Sequence, residues 1–344
     1  MKAGKPLLDV LAGKMPSRRP LWFMRQAGRY LPEYRAVRAK AGSFVKLCYT
    51  PEMAAEVTLQ PLRRYDLDAA IVFADILVVP HAMGCDLDFV EGEGPKLSIV
   101  DTMDKVAALT PVREAWQTQR VAETLGMVKA GLPSHVALIG FCGGPWTVLS
   151  YMIEGGGTVE RLNARRAALA QPDWFKRLME MLIENSIDYL CAQIDAGAEA
   201  VQIFESWAGD VPWPLQNELV LQPLKRIREG VRVRKGNVPV IVFVRGAGQG
   251  HVTAAEIIGA EAVGVEQCVD MGWAAKAIPC AIQGNLDPIA LAVGGAALDG
   301  AVERIAAAVP MAKHVFNLGH GIRQETDPVH VDGMIERVRA FDGV

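Results

Sequence analysis

The chain has 344 residues and 51% of them are hydrophobic, enough to bury a large core. Its formal net charge of −3 argues against a surface built for nucleic acid or an anionic membrane. Length allows two domains, but a single α/β barrel of about 250 residues or more fits equally well.

Residues 1–14 set Asp9 and Lys14 around a short apolar piece and lack the apolar stretch of a signal peptide. From there on, short apolar runs alternate with longer amphipathic ones. Strands are expected at 21–24, 69–73, 136–141, 200–204, 238–244, 262–266, 279–283 and 313–317. Their near-continuous apolar character suits strands covered on both faces, as in a parallel sheet. Thr50-Pro51-Glu52 predicts a helix over 52–65, with Thr50 as N-cap and Pro51 at the first helical position. Asp287-Pro288 and Asp327-Pro328 repeat that device, and 174–195 and 297–308 carry helical apolar spacing. Residues 83–112 and 143–163 read as longer loops or excursions. The most apolar run, 69–80, is too short to span a bilayer and holds Asp75 at its centre. Eight strands alternating with helices predict a (β/α)8 TIM barrel, with residues 1–344 as one catalytic domain.

The cysteines, Cys48, Cys85, Cys142, Cys191, Cys268 and Cys280, lie far apart and form no Cys-x-x-Cys pair. They predict reduced, mostly buried thiols in a soluble cytoplasmic protein. There is no His-Glu-x-x-His and no His-x-Cys, so a protein-built metal site is not expected. Nor is there a phosphate-binding P-loop.

A barrel carries its chemistry at the C-terminal ends of its strands. The first strand delivers Arg25 and, four residues on, Arg29. A guanidinium fork fits carboxylate or phosphate, although surface salt bridges would also account for the pair. Asp75 is a lone acid in an apolar run, so it must cap a helix, pair with a buried arginine, or act on a ligand. Tyr151 reads by itself as a half-buried packing residue. Ser206 lies outside any Gly-x-Ser-x-Gly elbow and reads as a hydrogen-bond donor rather than a nucleophile. Arg245-Gly246-Ala247-Gly248-Gln249-Gly250 fails the dinucleotide fingerprint, because His251 stands where the third glycine belongs. His320, between Gly319 and Gly321, can approach a ligand closely and could bind a carboxylate or move a proton.

Six segments then point one way. Met24-Arg25-Gln26-Ala27-Gly28-Arg29-Tyr30-Leu31-Pro32-Glu33-Tyr34-Arg35 resembles the N-terminal signature of the uroporphyrinogen decarboxylase family. Phe73-Ala74-Asp75-Ile76-Leu77-Val78-Val79-Pro80 is similar to its aspartate-bearing segment. Gly144-Pro145-Trp146-Thr147 through Gly157, Phe204-Glu205-Ser206-Trp207-Ala208-Gly209, Gln283-Gly284-Asn285-Leu286-Asp287-Pro288 and Asn317-Leu318-Gly319-His320-Gly321-Ile322 resemble four more, in family order.

The resemblance implies a cofactor-free enzyme of haem and tetrapyrrole synthesis, usually a homodimer. Its substrate would be uroporphyrinogen III, and loss of four acetate carboxyls as CO2 would give coproporphyrinogen III. It implies substrate contacts from Arg25, Arg29, Tyr151, Ser206 and His320, with backbone contributions from Gln26, Ala27 and Gly28. Asp75 would lie beneath the macrocycle centre, accept its pyrrole N–H groups and stabilise a transient cation. Two departures stand out. Gly264-Val265-Glu266-Gln267 replaces a frequent Gly-Leu-Asp-Trp, and Gln324 stands where proline is common, which suggests a looser loop after Ile322. Rival readings are a corrinoid-linked methyltransferase of the same fold superfamily, which would need zinc ligands including a late cysteine, and a non-catalytic tetrapyrrole-binding protein.

Overall fold

Seven of the eight expected strands form one parallel sheet. The computed structural model describes residues 4–90 and 92–343, so Met1 to Ala3, Glu91 and Val344 of the expected 1–344 span lie outside the described residues. The strands are β1 (Ala69–Ile71), β2 (Leu87–Val90), β3 (Gly94–Leu97), β4 (Ala137–Gly143), β5 (Ala200–Glu205), β6 (Val240–Val244), β7 (Ala262–Gly264), β8 (Ala281–Leu286) and β9 (His314–Leu318). The sheet runs β1-β4-β5-β6-β7-β8-β9, every neighbouring pair parallel, while β2 and β3 form a separate antiparallel hairpin.

The first expected strand, 21–24, is corrected to a single parallel bridge between Leu21 and Phe316. Around it Trp22 N–H donates to the Phe316 carbonyl at 3.3 Å, and Asp68 N–H donates to the Leu21 carbonyl at 2.9 Å. The segment thus lies between β9 and β1 and completes the curl of the sheet into a TIM-barrel-like ring. It is not a full ladder because side chains take over the backbone pairing. Met24 N–H donates to Asn317 Oδ1 at 3.1 Å, Leu21 N–H donates to Asp68 Oδ2 at 2.8 Å, and Pro20 has no N–H to offer.

Leu21 and its ladder neighbours are joined at this seam by a buried ion-pair cluster. Asp68, fully buried, accepts from Arg18 Nε and from Arg339 Nη2, both at 2.8 Å. Nearby, His314 is squeezed between Arg19, 2.6 Å from its Nδ1, and the Gly284 carbonyl, 2.7 Å from Nε2. Burial and the Arg19 charge push its pKa down to about 3, so it is neutral, donating to Gly284 and accepting from Arg19.

The barrel interior is filled by Trp22, Ile139, Ile241, Phe243 and small residues such as Ala137 and Ala200. Its lower end is closed by the helix Pro6–Leu11, whose Leu7, Val10 and Leu11 join that same cluster. Polar groups inside are chained rather than isolated: Trp22 Nε1 donates to Gln283 Oε1, and Gln283 Nε2 to Gln202 Oε1, each at 3.1 Å.

The expected helix after Thr50 runs Pro51–Arg64, but the Thr50 side chain does not cap it. Its hydroxyl donates back to the Lys46 carbonyl at 2.7 Å, because a preceding helix, Phe44–Tyr49, ends there and leaves carbonyls without partners. Asp287 and Asp327 do cap, accepting from Ile289 and Val329 N–H at 2.8 and 2.9 Å. Both stretches expected as loops or excursions hold regular structure. Residues 83–112 carry the hairpin and the helix Met103–Ala107. Residues 143–163 contain the helix Pro145–Glu154, closed by Gly155 in the left-handed conformation. All six cysteines are free, four of them buried, with Cys268 exposed and Cys280 half-buried.

Candidate active site

The site is built at the C-terminal mouth of the ring. At its edge Arg25 takes a left-handed backbone conformation, φ 65°, unusual for a residue with a side chain. Two glycines make that turn possible. A Cβ on Gly28 would stand 2.7 Å from the Arg25 carbonyl oxygen, and a Cβ on Gly321 would run into the Arg25 side chain. Gln26 is fully buried and belongs to the scaffold. Its Nε2 donates to the Ala69 carbonyl at 3.2 Å, and its carbonyl accepts from Tyr30 Oη at 3.0 Å. The backbone N–H groups of Ala27 and Gly28 make no hydrogen bond within the described residues, so both stay available to an anion.

Asp75 follows β1. One oxygen, Oδ1, accepts from Leu77 N–H at 2.8 Å, whereas Oδ2 has no partner among the described residues. Burial pushes the carboxyl up to about 6, against the opposing pull of the Leu77 amide and the Arg25 charge. Arg25 is in turn lowered by burial, with Arg29 and Arg323 adding to the effect and Asp75 opposing it. Arg25 as a whole residue is exposed even so, since it stands in a recess crowded by protein but not covered. Tyr151 enters from the helix Pro145–Glu154. Burial and Asp75 raise its pKa, while Trp207, Arg161 and Arg25 work against them. His320 follows β9 and stacks over Phe243 at a centroid distance of 6.5 Å. Burial and the charges of Arg25, Arg245 and Arg323 push it down to about 4, so the imidazole is neutral at pH 7.

Arg25, Asp75, Tyr151 and His320 therefore share one recess. Arg29 lies exposed beside Arg25, with no carboxylate within ion-pair distance among the described residues. Ser206 is half-buried at the end of β5, and its hydroxyl makes no hydrogen bond within the described residues. Gln26 supplies its side chain to the fold, and its own N–H goes to the Phe23 carbonyl at 3.1 Å.

Reading single strand ends passed over two features. Glu205, fully buried, accepts from Trp146 N–H at 3.1 Å, from Thr147 N–H at 2.7 Å and from the Thr147 hydroxyl. It fixes the start of the helix that carries Tyr151, and burial pushes its pKa up to about 7 against those donors. The clue was a carboxylate opposite a Pro-led helix start, visible only once β4 and β5 pair. The second is Trp207, flanked by the guanidinia of Arg161 at 3.8 Å and Arg245 at 5.7 Å from its ring centroid.

The departure at Glu266 also has a local explanation. Glu266 accepts from or donates to nothing in the recess; it pairs with His251 Nε2 at 2.9 Å, both residues buried. Burial opposes the charged form, but His251 and nearby backbone N–H groups hold Glu266 below the usual carboxylate range. His251, which broke the glycine fingerprint, thus anchors the start of the helix Gly250–Ile258 to the end of β7. After Ile322 the chain makes a turn, Thr326 N–H donating to the Arg323 carbonyl at 3.2 Å, with Arg323 paired to Glu325 at 2.7 Å.

A parallel sheet curled into a TIM-barrel-like ring, with guanidinia and a desolvated carboxylate in a recess at its mouth, defines the class of α/β-barrel proteins. Comparison with known proteins is more specific. The chain matches the family described as uroporphyrinogen decarboxylase over residues 2–341. It is 47% identical over 341 residues to the uroporphyrinogen decarboxylase of Rhodospirillum rubrum, covering 98% of both chains. It is likewise 47% identical over 342 residues to that of Ruegeria pomeroyi, covering 98% of this chain and 99% of the relative. This chain belongs to the uroporphyrinogen decarboxylase family. Among solved structures, a methyltransferase from Methanosarcina mazei matches with a TM-score of 0.77 and 18% identity over 97% of each chain. A B12-independent methionine synthase from Shewanella matches with a TM-score of 0.58 and 10% identity, covering 85% of this chain and 86% of that one. At such identities the likeness speaks for the fold alone. Among the described residues no three His, Cys, Asp or Glu side chains gather as a metal-ligand set, and no helix is long and apolar enough to cross a membrane.

Proposed function

We infer that this chain is a carboxy-lyase that converts uroporphyrinogen III to coproporphyrinogen III, releasing four CO2 in haem and porphyrin synthesis. The family membership carries the reaction. The observation that carries the chemistry is Asp75, a desolvated carboxylate with one oxygen free in the recess that Arg25 enters.

A pyrrole acetate loses CO2 only when the electrons of the breaking carbon–carbon bond have a sink. Protonation of a ring carbon supplies it as a cation. The bond electrons then flow into the ring as CO2 departs, the exocyclic carbon takes a proton to become a methyl group, and the ring carbon returns its own. Each turn consumes one proton overall. Asp75 is the fixed anion for that transient cation, in surroundings where poor solvation strengthens the attraction. Charge that exists only along the reaction path makes this barrier lowering rather than mere binding. The pyrrole N–H groups would in turn satisfy the free Asp75 oxygen. Arg25 and Arg29, with the backbone N–H groups of Ala27 and Gly28 beside the buried Gln26, would hold rim carboxylates. Tyr151, Ser206 and His320 would complete the contacts, His320 as a neutral hydrogen-bond donor. Arginine keeps its proton too tightly to be a ready donor, and His320, pushed down to about 4, carries no proton to give at pH 7 beyond that of its neutral ring, so neither is assigned as the acid.

We read residues 1–344 as one catalytic barrel domain acting without a cofactor, as a cytoplasmic homodimer, on the strength of the family resemblance; light scattering on the purified protein tests the dimer. Incubating the protein with uroporphyrinogen under reducing, anaerobic conditions and following loss of carboxyls tests the reaction. Unchanged substrate overturns it and favours a binding protein.

A further inference from the structure

We propose that Arg245 is a further substrate-binding residue, holding a rim carboxylate on the far side of the barrel mouth from Arg25. This rests on the reading of the substrate as a polycarboxylate macrocycle.

The position follows from topology. In the ring formed by residues 20–24 and then β1, β4, β5, β6, β7, β8 and β9, Arg25 leaves the first place and Arg245 the fifth, directly across. Arg245 stands two residues beyond Phe243, whose ring lies inside the barrel against His320, so it faces the same interior at the mouth. Its charge reaches His320 along with that of Arg25, which places both guanidinia around one recess. A macrocycle with carboxylates spaced around its whole rim needs cations on opposite edges, and Arg25 and Arg29 cover one edge.

The residue is held in place but its charge is free. Arg245 N–H donates to the Glu205 carbonyl at 3.1 Å, and its carbonyl accepts from Gly209 N–H at 3.0 Å. Gly246 and Gly209 touch so closely that a Cβ on Gly246 would stand 2.9 Å from the Gly209 Cα. The guanidinium lies over one side of Trp207, which restricts its rotamers before a ligand arrives. Two further arginines near the mouth are already neutralised. Arg161 is bound to Asp210 at 2.5 Å and Arg323 to Glu325 at 2.7 Å. Among the described residues no carboxylate lies within 4.0 Å of an Arg245 nitrogen. A half-buried arginine with a fixed backbone, a stacked side chain and no anion is arranged for an anion from outside.

The test is steady-state kinetics on uroporphyrinogen at several salt concentrations, for wild type, Arg245→Gln and Arg245→Lys. The expected result for Arg245→Gln is a rise in KM of about tenfold or more with kcat within about threefold, and a shallower dependence of log KM on log salt concentration. Arg245→Lys should fall between, keeping the salt slope but not the two-pronged contact. A KM for Arg245→Gln within twofold of wild type, with an unchanged salt slope, overturns the assignment. So does a loss in Arg245→Gln that tracks a fallen melting temperature and leaves the salt slope intact, since that would make Arg245 a packing residue. Should Arg245→Gln not fold, Arg245→Lys decides: a KM equal to wild type overturns the proposal. An inactive wild type would instead sink the decarboxylase reading and the assignment with it, so the two failures are distinguishable.

Discussion

In the proposed reaction Asp75 is the residue on which the chemistry turns, and its environment makes two opposite demands. Catalysis needs the anion, while burial resists it and lifts the pKa to about 6. Activity should therefore fall on the acid side, with an inflection in kcat/KM near 6 as the carboxylate is protonated. Asp75→Asn is expected to fold and lose roughly 10²–10³ in kcat, the scale for removal of a preorganised electrostatic group; near-normal turnover would exclude a charge-stabilising role. Stability should move the other way. The folded state holds its proton more tightly than the unfolded one, whose carboxyl titrates near 3.8, so stability drops as pH rises from 3.8 through about 6. Asp75→Asn should melt higher than wild type at about pH 8, with the difference vanishing below about pH 4. Arg29 makes a complementary case. It has no acid partner among the described residues, so Arg29→Lys keeps the charge but loses the fork, and KM should rise several-fold. Unchanged kinetics would argue against two-pronged carboxylate recognition.

At the scale of elements, the critical join is between residues 20–24 and β1, because a single backbone hydrogen bond, from Asp68 N–H to the Leu21 carbonyl, stands there where paired strands would make several. Asp68 compensates by tying Leu21 N–H, Arg18 and Arg339 together at the lower end of the barrel. Asp68→Asn leaves Arg339 buried beside a neutral partner. A loss of about 3–5 kcal/mol is expected in urea unfolding, the range for breaking a buried pair. KM of the folded fraction should barely change, since this cluster lies at the opposite end from the recess. Glu205 plays a comparable part at the mouth. It aligns the helix Pro145–Glu154, and with it Tyr151, by accepting from the helix's first N–H groups.

For the whole molecule, the lower end of the barrel depends on a plug. Leu7 is completely buried in the interior cluster, on a six-residue helix too short to be stable by itself. Leu7→Ala should cost about 2–5 kcal/mol, read from the denaturation midpoint. A much smaller value would mean that the plug is not part of the barrel's cooperative core. Much of the architecture was legible beforehand because strands buried on both faces are written in runs such as Val240 to Val244. The plug was not, because six residues carry too little periodicity to separate a helix from any apolar piece. The seam was misread as a full strand for a related reason: Leu21 to Met24 has strand composition, but Asn317 and Gln26 side chains replace part of its ladder.

The sequence by itself determined the alternation of strand and helix, the family, and the residues at the strand ends, including Arg25, Asp75 and His320. These depend on local patterning and on motifs contiguous in the chain. Only the tertiary structure decided which arginines are free. Arg161 and Arg323 look no different from Arg245 in the sequence, yet Asp210 and Glu325 neutralise the first two, and no described carboxylate reaches the third. It also decided that His251 and Glu266, two residues that each broke a familiar pattern, account for one another as a buried pair. Charge and solvation at a site depend on neighbours brought together by folding, which residue order does not disclose.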